Sequence, residues 1–138
     1  MRAAVDSSVL WSIFKGERDA KAWVEVLVAA RRESGLILCE IVFAEIAPLF
    51  HTLSDLNARL DALGIEYDTI ESSTAFAAGQ IFRRYRQEGG PRQHLIPDFL
   101  IGAHALYQAG CLAARDRGYL RLYFPQLSII TPEGPLTC

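Results

Sequence analysis

Lysine is almost missing from this chain of 138 residues. Of its 14 basic side chains only Lys15 and Lys21 are lysines, and the other twelve are arginines. Long apolar runs are missing too: the longest stretch without a charged residue, Phe99 to Ala114, is shorter than the roughly 20 residues a membrane helix needs. It also contains His104, Gln108 and two glycines, so no membrane association is expected. The N-terminus has Arg2, but Asp6 interrupts the apolar segment behind it, which argues against a cleaved signal peptide. Cysteine is sparse. Cys39, Cys111 and Cys138 are odd in number, form no C-x-x-C pair, and are wrongly spaced for a zinc site with His51, His94 and His104. That usage suits a reducing cytosol, and a cytoplasmic protein with unpaired thiols is the expectation. A net charge of −2 leaves no general basic footprint for nucleic acid. Linkers, repeats and low-complexity segments are absent, so residues 1–138 are expected to form a single domain.

The chain reads as a series of α/β units. "AAV" at 3–5 is a short apolar strand ending at Asp6, and "SSVLWSIF" then starts a helix with Ser7 or Ser8 near its cap. In residues 19–32, Ala22, Trp23, Val26, Leu27 and Ala30 fall on one helical stripe, which Gly35 breaks. "LILC" at 36–39 is a buried strand leading into a helix with Glu40 and Glu45. A helix over about 54–63 closes at Gly64, and "IEYDTI" at 65–70 is a third strand. Ser72 or Ser73 caps a long helix to about Gln87, ended by Gly89 and Gly90. A helix opening at Pro97 closes at Gly110. "CLAA" at 111–114 and "LSII" at 127–130 complete five strands. Strands alternating with helices predict a parallel sheet covered on both faces.

Asp98 is the odd residue in this pattern. It sits among Ile96, Phe99, Leu100 and Ile101 with no basic residue inside its segment. It could be an acid favoured by the helix dipole, or one of several carboxylates around a metal. Ligands of open parallel sheets bind at the carboxyl ends of the strands. Asp6 and Asp116 directly follow strands one and four. Glu45 lies one to two turns into the helix leaving strand two, and Asp98 opens the helix that returns to strand four. Four carboxylates thus converge on one rim. The helix 72–87 is expected to end at the opposite rim, so that "EGGPRQHLI" must climb back, within the roughly 30 Å that nine extended residues reach. Clustered carboxylates need a cation unless some are protonated, and oxygen-only ligands favour Mg²⁺ or Mn²⁺ over zinc. Such ions activate water and stabilise phosphodiester oxygens during displacement.

The stretches "VDSSVL" at 5–10, "EIVFAEIAPLF" at 40–50, "PDFLIGAHA" at 97–105, "ARDRGY" at 114–119 and the closing "YFPQLSIITP" occur in the order seen in a known family. The chain resembles PIN-domain endoribonucleases, most closely the VapC-type toxins of type II toxin–antitoxin pairs. The resemblance implies a three-layer α/β/α fold with a central, mainly parallel five-stranded sheet. It implies Asp6, Glu45, Asp98 and Asp116 as the catalytic quartet that binds Mg²⁺ or Mn²⁺, with Ser8 supporting Asp6 or a metal-bound water. It further implies hydrolysis of RNA to 3′-hydroxyl and 5′-phosphate ends, a cognate antitoxin, and a homodimer. One position departs from the family: Ala114 stands where Thr or Ser is usual two residues before the last acid.

Other readings compete residue by residue. Asp98 alone would be a helix-start acid, and Asp6 and Asp116 alone would be turn residues. Glu45, among Phe43, Ala44, Ile46 and Ala47, is harder to dismiss because unpaired buried acids are rare. Glu40 is about 140° from Glu45 around a helix and reads as a first-turn acid. His104 reads as a satisfied core histidine, and His94 with Arg92 as a surface loop that could reach RNA. Arg83, Arg84 and Arg86 suit a helix C-terminus. Arg115 and Arg117 are the best candidates for RNA phosphate contacts. Gly102, Ala105 and Ala109 form a small-residue face where another backbone could approach. An aspartyl-phosphate receiver or phosphatase would use acids at the same rim, but it needs a lysine late in the chain, which neither Lys15 nor Lys21 is. A PIN-like module that only binds RNA or a protein is the non-enzymatic alternative.

Overall fold

The computed structural model describes residues 1–92, 94–115, 118–134 and 138. Five strands, β1 (Arg2–Val5), β2 (Leu36–Leu38), β3 (Ile65–Tyr67), β4 (Gly110–Ala113) and β5 (Ser128–Ile130), form one sheet in the order β3-β2-β1-β4-β5. All four pairings are parallel. Each strand lies within a residue or two of its expected place, except that β3 stops at Tyr67 rather than running on to Ile70. β1 to β4 is the longest ladder, from Arg2 opposite Gly110 to Val5 opposite Ala113. The chain steps outward from β1 to β3 and then jumps back across β1 to β4. Right-handed crossovers in the two directions put helices on both faces, which gives the three-layer α/β/α fold. Apart from edge strand β3, with exposed Glu66 at its middle, the strands carry apolar residues at their centre, and Ala3, Val5, Ile37, Leu38, Cys111 and Leu112 are buried.

Among the described residues seven α-helices connect the strands: α1 (Ser7–Lys15), α2 (Ala20–Glu33), α3 (Glu40–Ile46), α4 (Leu53–Leu63), α5 (Ser72–Gln87), α6 (Ile96–His104) and α7 (Gly118–Tyr123). Trp23, Val26, Leu27 and Ala30 are the buried stripe of α2, as its spacing predicts. Gly64, at φ 73°, closes α4 in the left-handed conformation. Two caps differ from expectation. Asp6, not Ser7 or Ser8, is the N-cap of α1, and Glu71 takes that place before α5. α6 does not run unbroken to Gly110; the segment Ala105–Ala109 widens into a π-helical turn before β4. α7 had no sequence signal of its own: it is one and a half turns long, too short for periodicity to mark it.

The course of α5 corrects a larger expectation. Its start lies beside the end of α6, where the Glu71 N–H donates to Gln108 Oε1 at 2.9 Å. Its end lies beside the start of α6, with the Tyr85 ring 5.1 Å from Phe99 and 6.0 Å from His94. The two helices are therefore antiparallel, and the connection between them is a local turn rather than a climb across the sheet. Gly90 N–H donates to Tyr85 O at 2.9 Å and the Tyr85 hydroxyl donates to Pro91 O, folding the turn over that ring. The crossing falls instead between β3 and α5. There Glu40 accepts the Ile70 N–H at 2.9 Å, while Asp68 accepts buried His104 at 2.8 Å and Gln108 at 3.0 Å. His104 is thus a core histidine with a carboxylate partner, and Glu40 a first-turn acid that ties down a loop.

The cysteines also depart from the sequence reading. Cys111 in β4 is joined to Cys138 by a disulfide, with their Cα atoms 5.7 Å apart. Cys39 is the remaining free thiol, and burial pushes its pKa up. The residue separation of 27 carries no sign of this pairing, because parallel β5 has to bring the chain back alongside β4 first.

At Gly102 the closest approach is a side chain rather than the expected backbone: a Cβ there would lie 2.6 Å from the buried Phe124 ring. That ring is 1% exposed and packs against Phe99 at 6.1 Å. Gly102→Val should therefore lower unfolding stability by about 1–3 kcal/mol through overpacking. Gly79→Ala, where a Cβ meets nothing within 4 Å, should instead gain up to about 1 kcal/mol of helix propensity. Denaturant midpoints that move in the same direction for both variants would contradict this packing.

Candidate functional site

Backbone pairing fixes Asp6 at the rim. Its N–H donates to Ala113 O at 2.9 Å, which carries the β1–β4 ladder one residue beyond the strands. The side chain is buried, and Oδ2 accepts both the Ser8 N–H at 3.3 Å and the Ser8 hydroxyl. Asp6 thus caps α1, and Ser8 holds its carboxylate in one orientation. Oδ1 has no hydrogen bond among the described residues.

Glu45 lies in the last turn of α3, half-buried, with Oε1 closed off from solvent. Its position depends on Trp11, whose indole N–H donates to the Glu45 carbonyl at 3.1 Å and ties α3 to α1. Trp11 is therefore part of the frame that sets the height of Glu45 above the sheet.

Asp98 occupies the third position of α6 and does the helix-start work that the simpler reading assigned it. Oδ2 accepts the Leu95 N–H at 3.0 Å, one of the donors a helix start leaves unmet. His94 Nδ1 lies 3.7 Å from the same oxygen, and the His94 ring stacks on Tyr119 at 3.9 Å. His94 is thus held against the acid rather than projecting as a plain surface residue. Like Asp6, Asp98 uses Oδ2 for its local bond.

Topology brings these three acids to the same edge. Asp6 ends β1; α3 leaves β2 on one side of it, and α6 returns to β4 on the other. Asp116 and Arg117 lie outside the described residues. Among the described residues, no three His, Cys, Asp or Glu side chains are gathered closely enough to hold a metal ion. The donor chemistry, all carboxylate oxygen, suits a hard divalent cation. Asp6, Glu45 and Asp98 are the described residues that would contribute to it.

Arg115, one of the two arginines beside Asp116, is already engaged. Its Nη1 is 2.8 Å from Asp19 Oδ2 and its Nη2 is 3.8 Å from Glu17. Asp19 also accepts the hydroxyl of fully buried Ser12 and the Trp23 indole N–H at 3.1 Å. Asp19, Trp23 and Arg115, with Arg121 and Thr131 to Gly134, line a cleft of about 430 Å³ beside the end of β4. Asp19 escaped the sequence reading. Trp23 one turn along α2 was a faint local hint, but the arginine partner is remote in the chain and leaves no local pattern.

The bond from Ser12, then those from Arg115 and Trp23, hold the Asp19 carboxyl down to about 2, against an ordinary 3.8. A carboxyl whose pKa is lower when folded stabilises the fold above its unfolded value. That contribution is lost as pH falls through the folded value. Asp19→Asn should therefore lose stability near neutral pH, with the gap to the parent chain closing between about pH 4 and pH 2. Acid-unfolding curves of the two proteins that run parallel across this window would contradict the assignment.

Two solved structures share the fold across nearly their whole lengths. VapBC2 from Rickettsia felis, bound to a DNA fragment from its promoter, is 17% identical with a TM-score of 0.71, over 94% of this chain and 98% of that one. FitAcB from Neisseria gonorrhoeae is 19% identical with a TM-score of 0.64, over 94% and 97%. At such identities the likeness speaks for the fold alone. No curated protein sequence matches. The family model of the PIN domain, however, matches residues 3–125, from the first strand through the end of the last helix. With its five parallel strands and its acids at their carboxyl edge, the chain belongs to the PIN domain family.

Proposed function

We propose that this protein is a Mg²⁺- or Mn²⁺-dependent endoribonuclease and the toxin of a toxin–antitoxin pair. PIN domains are in general nucleases that use divalent metal ions. The reading is supported by the topology, which sets the segments of Asp6, Glu45 and Asp98 at the carboxyl edge of the sheet, and by the separate bond that holds each residue there. Asp116 joins them as the fourth acid of the proposed quartet. When bound, the metal would supply an activated water and offset charge on the phosphodiester oxygens. The protein's own part is orientation. Ser8 keeps one oxygen of Asp6 occupied, Trp11 sets the backbone of Glu45, and the Leu95 N–H anchors Asp98. A divalent cation held among these carboxylates would offset their mutual repulsion. Arg117 remains the proposed phosphate contact, since Arg115 is held by Asp19 and Glu17.

Asp6→Asn and Asp98→Asn retain an amide oxygen that can accept the Ser8 and Leu95 bonds, so both variants should fold. Each should lose Mn²⁺-supported RNA cleavage by at least roughly 100-fold, the upper range seen for residues that merely support a metal ligand. Full activity in either variant would remove that residue from the site.

The fold similarity to VapBC2 and FitAcB supports a protein partner for this chain too. An amphipathic antitoxin helix would lie along α1 and the segment after α3. There Phe14 and Phe50 meet edge to face at 5.2 Å and Arg59 lies 4.8 Å over Phe14. A basic side chain from the partner would reach the acids and compete with metal. Phe50→Ala is a cleaner probe than Trp11→Ala, because Trp11 also holds Glu45. Affinity for the antitoxin encoded beside this gene should fall in Phe50→Ala and with added Mn²⁺. Binding indifferent to both would overturn this docking. The homodimer belongs to the same reading and is checked by mass in solution.

A further inference from the structure

Asp19 stands at the N-cap of α2, yet its side chain makes no capping bond. A capping aspartate is worth about 1 kcal/mol to a helix, so forgoing the bond is informative. Neither oxygen takes a backbone N–H of the helix's first turn. Oδ1 takes the hydroxyl of buried Ser12, and Oδ2 takes the Trp23 indole at 3.1 Å and Arg115 Nη1 at 2.8 Å. Ser12 and Trp23 are anchored in the core, so they fix the carboxylate from behind while it holds the arginine in front. Glu17, in the same connection, flanks the guanidinium at 3.8 Å.

The arginine so held is the residue next to Asp116, at the end of β4. The preceding residue, Ala114, has a buried methyl that can make no polar bond, and its N–H is 3.4 Å from Ile130 O. Beyond the ladder, the Arg115 side chain ties this strand end to the connection between α1 and α2. An ion pair with both partners partly exposed adds little to stability, so its value lies in where it holds the chain.

We propose that Asp19 is a positioning residue of the nuclease site: by clamping Arg115 it fixes the end of β4 beside Asp116. This rests on the metal-dependent reading above. The same geometry takes Arg115 out of service as an RNA contact, because its charge is matched by two carboxylates.

The test compares Asp19→Asn, Arg115→Gln and the double variant with Trp23→Phe, which removes a bond to Asp19 but leaves the ion pair. Mn²⁺ binding is measured by calorimetry, and RNA cleavage is measured across Mn²⁺ and RNA concentrations. Asp19→Asn and Arg115→Gln should each weaken Mn²⁺ binding several-fold and lower kcat by about 10-fold, with KM for RNA nearly unchanged. The double variant should be no worse than either single one. Trp23→Phe should lose thermal stability but keep its Mn²⁺ affinity. Asp19→Asn with a lower Tm but unaltered Mn²⁺ affinity and kcat would overturn the proposal, as would additive losses or a raised KM in Arg115→Gln. A parent chain that binds Mn²⁺ but cleaves no RNA would overturn the nuclease reading alone, while weaker Mn²⁺ binding by Asp19→Asn would still uphold the clamp. A parent chain that binds no Mn²⁺ would overturn both.

Discussion

A single backbone hydrogen bond, Asp6 N–H to Ala113 O at 2.9 Å, organises the functional end of this protein. It continues the β1–β4 ladder past its last paired residues and leaves two chain segments, distant in sequence, side by side at the carboxyl edge. The Asp6 side chain then emerges where α1 must begin, so one carboxylate caps the helix and also faces the rim. The other acids are placed relative to this point. Trp11 on α1 reaches the carbonyl of Glu45, and α6 packs beside α3 with Asp98 at its start. Shifting the β1–β4 register by one residue would turn Asp6 to the other face of the sheet and dissolve the arrangement.

The acids at this rim share a way of being held. Asp6 and Asp98 each give one oxygen to a local donor and keep the other. A carboxylate with one oxygen fixed in this way has lost most of its rotational freedom before any ligand arrives, which lowers the entropy cost of binding. Two roles are therefore compatible in one residue: Asp98 is a helix-start acid and a candidate ligand, and neither reading displaces the other.

Much of the fold was legible because it is written in local patterns. The apolar runs of β1, β2 and β4 and the stripe of α2 follow from periodicity, and the closing glycine of α4 from backbone conformation. The proposed acids were read from the rule that ligands of a parallel sheet bind at its strand ends. What escaped depends on contacts between remote segments. The antiparallel course of α5 and α6 rests on the Tyr85–Phe99 packing and the Glu71–Gln108 bond, and no window of sequence contains both partners. The same holds for the Asp19–Arg115 pair and for Cys111 with Cys138. α7 was missed for a different reason: six residues are too few for a helical period to repeat.

The central proposal is that a divalent cation binds at the carboxyl edge between Asp6, Glu45 and Asp98 together with Asp116. Mn²⁺ is paramagnetic, so adding it in small amounts to isotopically labelled protein broadens the NMR signals of residues near the bound ion. The account predicts that Asp6, Ser8, Glu45, Asp98 and Ala114 lose intensity first, while His104 and Asp68, paired at the far end of α6, keep theirs. Uniform broadening, or early loss centred on exposed acids such as Asp61 and Glu66, would contradict it.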